Sequence, residues 1–329
     1  MNTSKRFTRE LHSVNEESFA DIALQLFRFQ AENNAIYHHY VSSLGVNPNE
    51  VSTVSDIPFL PISFFRTHRL KTGAWDSETI FTSSGTTGHI PGVHEIKSLE
   101  FYLNNAQRCF ELFFGDLTDY HFFALLPSYL ERQGSSLVVM MDYFVKKSHS
   151  TFSAFYLHDY DKLVSDIEKT RGGGKKTVLW GVTFALLDLA ERYKPDLSHC
   201  LVFETGGMKG RRREITRQEL HSVLTEAFRV DKIYSEYGMT ELLSQAYTRG
   251  GNAFFTPPWM RILVRDITDP MEKGLLNKTG GINVVDLANI DSVAFIETED
   301  IGKAYEDGSF EVLGRFDNSE VRGCNLLVE

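Results

Sequence analysis

Apolar positions along this chain follow two alternating periods, and the alternation predicts its architecture. Between Val14 and Ala31 the residues Phe19, Ile22, Ala23, Leu26 and Phe27 recur at helical spacing, with Asn15 ahead of Glu16 and Glu17 as a capped start. The pattern continues loosely from Ile36 to Val41, until Pro48 and Asp56-Ile57-Pro58-Phe59-Leu60-Pro61 break it. Ile62-Ser63-Phe64-Phe65 is a short apolar element, and Thr79-Ile80-Phe81 reads as a short strand. Leu99 to Phe114 returns to helical spacing. His121 to Leu126 is a buried strand stopped at Pro127-Ser128, and a helix opens at Ser135-Ser136. Thr151–Tyr156 (strand), Asp159–Lys169 (helix), Thr177–Trp180 (strand), Phe184–Tyr193 (helix), Cys200–Thr205 (strand) and Arg211–Val230 (helix) complete an alternation that predicts α/β organisation with parallel pairing.

The later part is richer in strand. Lys232 to Glu241, Met260–Arg265, Gly281–Asp286 and Ala294–Thr298 have strand character, and Gly302 to Leu313 reads as a hairpin turning at Glu306-Asp307-Gly308. The expected fold class is therefore α/β, with parallel and mixed sheets flanked by helices and a strand-rich later part.

Composition narrows the partners. At 329 residues the chain suits one large domain or two closely joined ones, and 25 Phe supply large pieces for a core. A net charge of −10 argues against non-specific nucleic-acid binding, which rewards clustered Lys and Arg, but leaves room for a local nucleotide site. Cys109, Cys200 and Cys324 are widely spaced and fit neither a zinc motif nor a disulfide framework. Cys109 and Cys200 are expected to be packed, inert thiols. No apolar signal region follows Met1, and no window approaches the ~18 apolar residues of a membrane span. A reduced, cytoplasmic setting is the expectation.

The densest candidate chemistry is Thr82-Ser83-Ser84-Gly85-Thr86-Thr87-Gly88: five hydroxyls and two glycines in seven residues. The glycines permit a tight turn, while hydroxyls and bared N–H groups can cradle an anion. A solvated Ser/Thr/Gly loop has the same composition. The segment lacks the Lys followed by Ser or Thr of the nucleotide-binding P-loop. Gly172-Gly173-Gly174-Lys175-Lys176 reads as a flexible turn, and Arg66, His68 and Arg69 as a solvated basic face.

Four segments resemble, in order, those of the adenylate-forming ligases, the acyl-CoA synthetase and luciferase superfamily. They are Thr82 to Gly88; Glu204-Thr205-Gly206-Gly207; Tyr237-Gly238-Met239-Thr240-Glu241; and Glu299-Asp300 followed by Gly314-Arg315-Phe316-Asp317. The resemblance implies the N-terminal domain of such a ligase and ATP-dependent activation of a carboxylic acid. It implies phosphate contacts from Thr82, Ser83, Ser84, Gly85, Thr86, Thr87 and Gly88, and adenine beside Gly206, Gly207, Tyr237 and Gly238. Asp300 would accept from the ribose hydroxyls, Thr240 would donate to the α-phosphate, Glu241 would hold Mg²⁺, and Arg315 would add charge at ribose or phosphate.

Thr298-Glu299-Asp300 lacks the family's middle glycine, and the chain ends twelve residues after Asp317. The mobile C-terminal domain and its catalytic Lys are therefore expected to be absent. That layout resembles the LuxE-type acyl-protein synthetases, as do Leu126-Pro127-Ser128-Tyr129-Leu130 and Ser135-Ser136-Leu137. It implies a fatty acid as substrate, an acyl-reductase or acyl carrier protein as partner, and Cys324, five residues from the end, as the thiol that takes the acyl group. The expected division is an acyl-adenylating domain over 1–313, its helical part over 1–80, and a hinge-like tail over 314–329. Transfer to coenzyme A, as in phenylacetate–CoA ligase, and a non-catalytic nucleotide- or acyl-binding relative are the alternatives.

Overall fold

The structure, a computed structural model, describes residues 3–83, 90–127, 134–206, 215–269 and 272–316. The N-terminal part is helical: α1 (Thr3–Glu10), α2 (Glu16–Asn33) and α3 (Ala35–Ser43). α2 starts where its sequence predicts. The Asn15 side chain accepts from Ser18 N, and Ser18 Oγ accepts from Asn15 N, a reciprocal cap on two otherwise unpaired donors. The loose continuation beyond Ala31 is a separate helix, because Asn34 leaves helical geometry and caps α3 by accepting from Tyr37 N.

A short strand β1 (Leu60–Pro61), a helical turn α4 (Phe64–Thr67) and the antiparallel hairpin β2 (Thr79–Thr82) and β3 (Val93–Ile96) follow. α5 (Leu99–Phe114) is capped by Ser98. Then come β4 (Tyr120–Leu125), α6 (Ser136–Lys147), β5 (Ala154–Tyr156), α7 (Tyr160–Glu168), β6 (Lys176–Val182), α8 (Thr183–Arg192), β7 (Cys200–Thr205), α9 (Arg217–Phe228) and β8 (Ile233–Tyr237). α9 begins at Arg217, later than the expected Arg211. Thr216 is extended and forms a reciprocal cap with Glu219, which sets the helix start.

The last part is β9 (Ala246–Thr248), β10 (Phe254–Phe255), β11 (Met260–Arg265), β12 (Thr279–Asp286), β13 (Phe295–Ala304) and β14 (Phe310–Arg315). Among the described residues one sheet runs β11-β12-β13-β14-β10-β9-β8-β7-β6-β4-β5, with β1 parallel on β13. From β5 to β8 neighbouring strands are parallel; from β8 through β9 to β11 they are antiparallel. The change of sense falls at β8. β4 is buried at every position, as expected of a parallel strand covered on both faces.

Between α5, α6 and the sheet lie Phe110, Phe144, Trp180, Phe203 and Tyr247. Trp180 and Phe203 stack with centroids 4.7 Å apart, and Phe110 meets Trp180 at 6.3 Å. Truncating one such ring to Ala costs about 3–5 kcal/mol. This block fixes the height of the strand ends that carry the site.

Candidate active site

Parallel strands β7 and β8 end side by side at Thr205 and Tyr237, and the turn leaving β8 is Gly238-Met239-Thr240-Glu241. The carboxyl ends of parallel strands, at a change in strand order, are the usual crevice for ligands in α/β sheets. The β2–β3 hairpin brings Ser83 and Gly92, the stems of the hydroxyl-rich segment, to this crevice. Ser84, Gly85, Thr86, Thr87 and Gly88 lie outside the described residues, but both stems of the loop are described. Ser83 N donates to Gly92 O (2.9 Å), Gly92 N donates to Ser83 Oγ (2.7 Å), and Thr82 N donates to Gly134 O (2.8 Å). A Cβ on Gly92 would run into the carboxylate of Glu241 and come within 3.2 Å of Ser83 Oγ. The structure thus brings Ser83 and Glu241 together around Gly92.

Glu241 is buried, and burial pushes its carboxyl up to about 7 against the pull of Arg315 and Arg66. Its backbone is held firmly. Asn289 Nδ2 donates to Glu241 O (2.9 Å), and His94 Nδ1 donates to Thr240 O (2.9 Å). A carbonyl can only accept, so the His94 proton sits on Nδ1 and Nε2 accepts from Ser292 Oγ at 3.0 Å. Burial pulls His94 down to about 4, which keeps it neutral. Beyond the turn, Leu243 N, Ser244 N and Ser244 Oγ donate to buried Asp286, and Asn105 Nδ2 donates to Leu243 O. Thr240 itself remains half-buried.

On the other flank Asp300 of β13 stands opposite Arg315 of β14. Arg315 Nε lies 3.2 Å from Asp300 Oδ1, and Tyr237 OH donates to Asp300 Oδ2 at 2.8 Å. Burial raises the Asp300 carboxyl, with Arg315 and Tyr237 opposing it. The Tyr237 ring is 8% exposed and packs on Phe254 and Phe310, while its hydroxyl orients Asp300. Gly314 and Arg315 belong to β14, paired with Ile301 and Asp300, so the sheet extends across the boundary expected at residue 314.

Gly206 follows β7 with φ +72°, and its carbonyl accepts from Thr183 Oγ1 at 2.8 Å. Gly207 lies outside the described residues. Thr205 Oγ1 donates to Glu236 Oε2 (2.5 Å), and burial followed by the charge of Glu204 pushes Glu236 up to about 7. A Cβ on Gly238 would require the Glu236 carboxylate to shift. Glu204 points the other way, accepting from Ser235 Oγ (2.6 Å) with Arg217 Nε at 3.4 Å.

Arg66 corrects the expectation of a purely solvated basic face. It pairs with Glu299 at 3.1 Å, and its charge reaches Glu241. Arg69 pairs with Glu95 at 3.5 Å. His94, Asp286 and Asn289 also went unmarked in the sequence; the available signal was the position of His94 two residues beyond the Gly92 stem. Cys109 is buried with its thiol pushed far up, and burial raises half-buried Cys200 to about 12, so neither is a poised nucleophile. Cys324 and Asp317 lie outside the described residues.

The donor chemistry suits a nucleotide and a hard cation. Among the described residues no three His, Cys, Asp or Glu side chains gather to cage a metal. A cation at Glu241 would share one carboxylate with phosphate oxygens, the usual manner of Mg²⁺. No helix among the described residues is long and apolar enough to cross a membrane.

No family model matches the chain, and no curated protein matches it. Solved structures do. 2-Hydroxyisobutyryl-CoA ligase, in complex with 2-HIB-AMP and CoA in the thioesterification state, superposes with a TM-score of 0.68 at 14% identity, over 97% of this chain and 70% of that one. ATP-bound MatB from Rhodopseudomonas palustris gives 0.55 at 18% identity, over 74% of this chain and 49% of that one. A malonyl-CoA ligase with methylmalonyl-CoA and AMP bound gives 0.52 at 16% identity, over 72% and 52%. The chain spans about half the length of the MatB structure. Its fold is the mixed α/β fold of these ligases.

Proposed function

We propose that the chain is an ATP-dependent ligase that activates a carboxylic acid as its acyl-adenylate. The observation that carries this is the packing of Glu241 against the stem of the hydroxyl-rich loop at Gly92 and Ser83. The acid's carboxylate oxygen attacks the α-phosphorus of ATP, forming an acyl–phosphate bond, and pyrophosphate leaves with the electron pair of the α–β bridge. Thr82, Ser83 and the loop hydroxyls donate to phosphate oxygens, and Thr240 donates to the α-phosphate as its charge develops. Asp300, oriented by Tyr237 and Arg315, accepts from the ribose hydroxyls, and Gly206 and Gly207 flank adenine. Glu241 holds Mg²⁺, which neutralises phosphate charge when bound.

In the second step a thiol gives up its proton, its sulfur attacks the acyl carbon to form a thioester, and AMP leaves with the electron pair of the acyl–oxygen bond. The LuxE-type resemblance supports a fatty acyl group passing to Cys324 as a thioester, for delivery to an acyl-reductase or acyl carrier protein. The likeness to a ligase holding CoA supports coenzyme A as the acceptor instead. The test is carboxylate-dependent ATP–pyrophosphate exchange with Mg²⁺ over a panel of acids, followed by intact-mass measurement with ATP and the best acid. Exchange with an adduct that C324S lacks supports the protein thioester. Exchange with acyl-CoA formation and no adduct supports the CoA ligase. Tight ATP binding without exchange for any acid rejects adenylation and leaves a nucleotide-binding module.

A further inference from the structure

We infer that His94 is a positioning residue that locks the Thr240–Glu241 turn to the β2–β3 stem at Ser83 and Gly92. The inference rests on the adenylation reading for its kinetic consequence, but its geometry stands independently. His94 lies on β3, opposite Phe81 of β2, so it is carried by the same hairpin as Ser83 and Gly92. Its imidazole reaches out of that hairpin to Thr240 O at 2.9 Å and to Ser292 Oγ at 3.0 Å. One ring therefore joins three segments far apart in sequence: the loop's return strand, the turn after β8, and the connection between β12 and β13.

Packing alone does not set the ring. Phe65 meets it edge-on at 5.4 Å, but a cavity of about 190 Å³ also borders His94, lined by Ser4, Thr8, Asp291 and Ser292 among others. The two directional bonds decide the ring's orientation, and through it the placement of the Thr240 carbonyl. That carbonyl precedes Glu241, whose carboxylate must fit against Gly92, the residue just before β3 and two before His94. His94 is thus a polar tie that keeps the distance between Glu241 and the Gly92 stem from drifting. A drift of roughly 1 Å in such a constellation costs on the order of a hundredfold in rate.

The test compares three replacements of the ring in the full chain. H94F keeps a planar ring but removes both bonds. In H94N the amide returns a donor near the Nδ1 position. H94Q places its amide near Nε2. Acid-dependent exchange in H94F is expected to fall about 10–100-fold in kcat, with the KM for ATP within about threefold. H94N is expected to recover most of that loss, and H94Q less. A second readout does not need turnover: ATP binding by calorimetry with and without Mg²⁺. Mg²⁺ is expected to tighten binding in wild type and H94N, and to do so at least threefold less in H94F. Equal kcat in H94F and wild type overturns the inference. So does a loss in which H94N follows H94F, with kcat, KM and thermal midpoint moving together. If H94F does not fold, the H94N–H94Q comparison decides, and equality of those two overturns the inference. If wild type binds ATP without exchange for any acid, adenylation fails, and the Mg²⁺ dependence in the three variants still judges His94.

Discussion

The Glu241 carboxylate occupies the space that a side chain at position 92 would need. G92A therefore forces the carboxylate or the hairpin to move. Overpacking of this kind costs about 1–3 kcal/mol, so the protein is expected to fold with a lowered thermal midpoint. If Glu241 holds the metal, exchange activity is expected to fall about a hundredfold, because the acid leaves its register with the Ser83–Gly92 stem. Wild-type exchange in G92A would show that the two groups are not confined together.

Asp300 is met from one side by Tyr237 and from the other by Arg315. If it accepts from the ribose, D300A removes charge-assisted hydrogen bonds of about 1.5–3 kcal/mol and raises the KM for ATP about 10–100-fold, leaving the KM for the acid unchanged. Y237F keeps Asp300 but frees its orientation, and a rise of a few-fold in the ATP KM is expected. Initial-rate kinetics with each substrate varied separately checks both.

Glu236 makes stability depend on pH. Its carboxyl sits near 7 in the folded chain against 4.5 as the ordinary value, chiefly through burial. Between those values the folded state holds a proton that the unfolded state has released, so stability falls as pH rises from about 4.5 to about 7 and then levels. E236Q removes this cost while its amide oxygen still accepts from Thr205. It is expected to match wild type below about pH 4.5 and to exceed it by about 1–3 kcal/mol above pH 7, the figure being discounted for Glu236's partial exposure. Urea unfolding at pH 4.5, 6 and 8 measures the difference; a constant offset would assign Glu236 an ordinary carboxyl.

Asp286 accepts from Leu243 N, Ser244 N, Ser244 Oγ and Ala288 N, all in the interior. D286A leaves those donors without an acceptor and is expected to cost about 3–5 kcal/mol. D286N is also destabilising, because an amide presents two donors to donors. Chemical denaturation gives the values, and a loss below 1 kcal/mol would mean that water replaces the carboxylate.

Much of this molecule was legible in its sequence because the informative patterns are local. Asn15, Glu16 and Glu17 announce the start of α2 within a few residues, and the apolar runs around Phe122, Val178 and Val202 are strands whichever way they pair. The motif at Tyr237 to Glu241 likewise carries its own turn. What escaped depends on distant partners. Arg66 looks solvated until Glu299, 233 residues on, is placed beside it. His94 is one polar residue in a short strand until Thr240 and Ser292 arrive. The start of α9 was misjudged because charged residues from Arg211 onward suit a helix by propensity, whereas the Thr216–Glu219 cap places its first turn. Gly92 carries no signal of its own in the sequence, since the acid filling its missing side chain lies 149 positions away (241 − 92).

Gln30 of α2 has one more consequence, in time rather than space. Its amide is satisfied by Asn289 O, Ile290 O and Ala294 N, the last 264 residues downstream. At translation rates of about 5–20 residues per second, that interval is on the order of 10–50 s. Throughout it the apolar stripe of α2 has been synthesised but lacks the partners that cover its buried amide. The clamp behind Glu241 therefore closes only after residues 289–294 have been made.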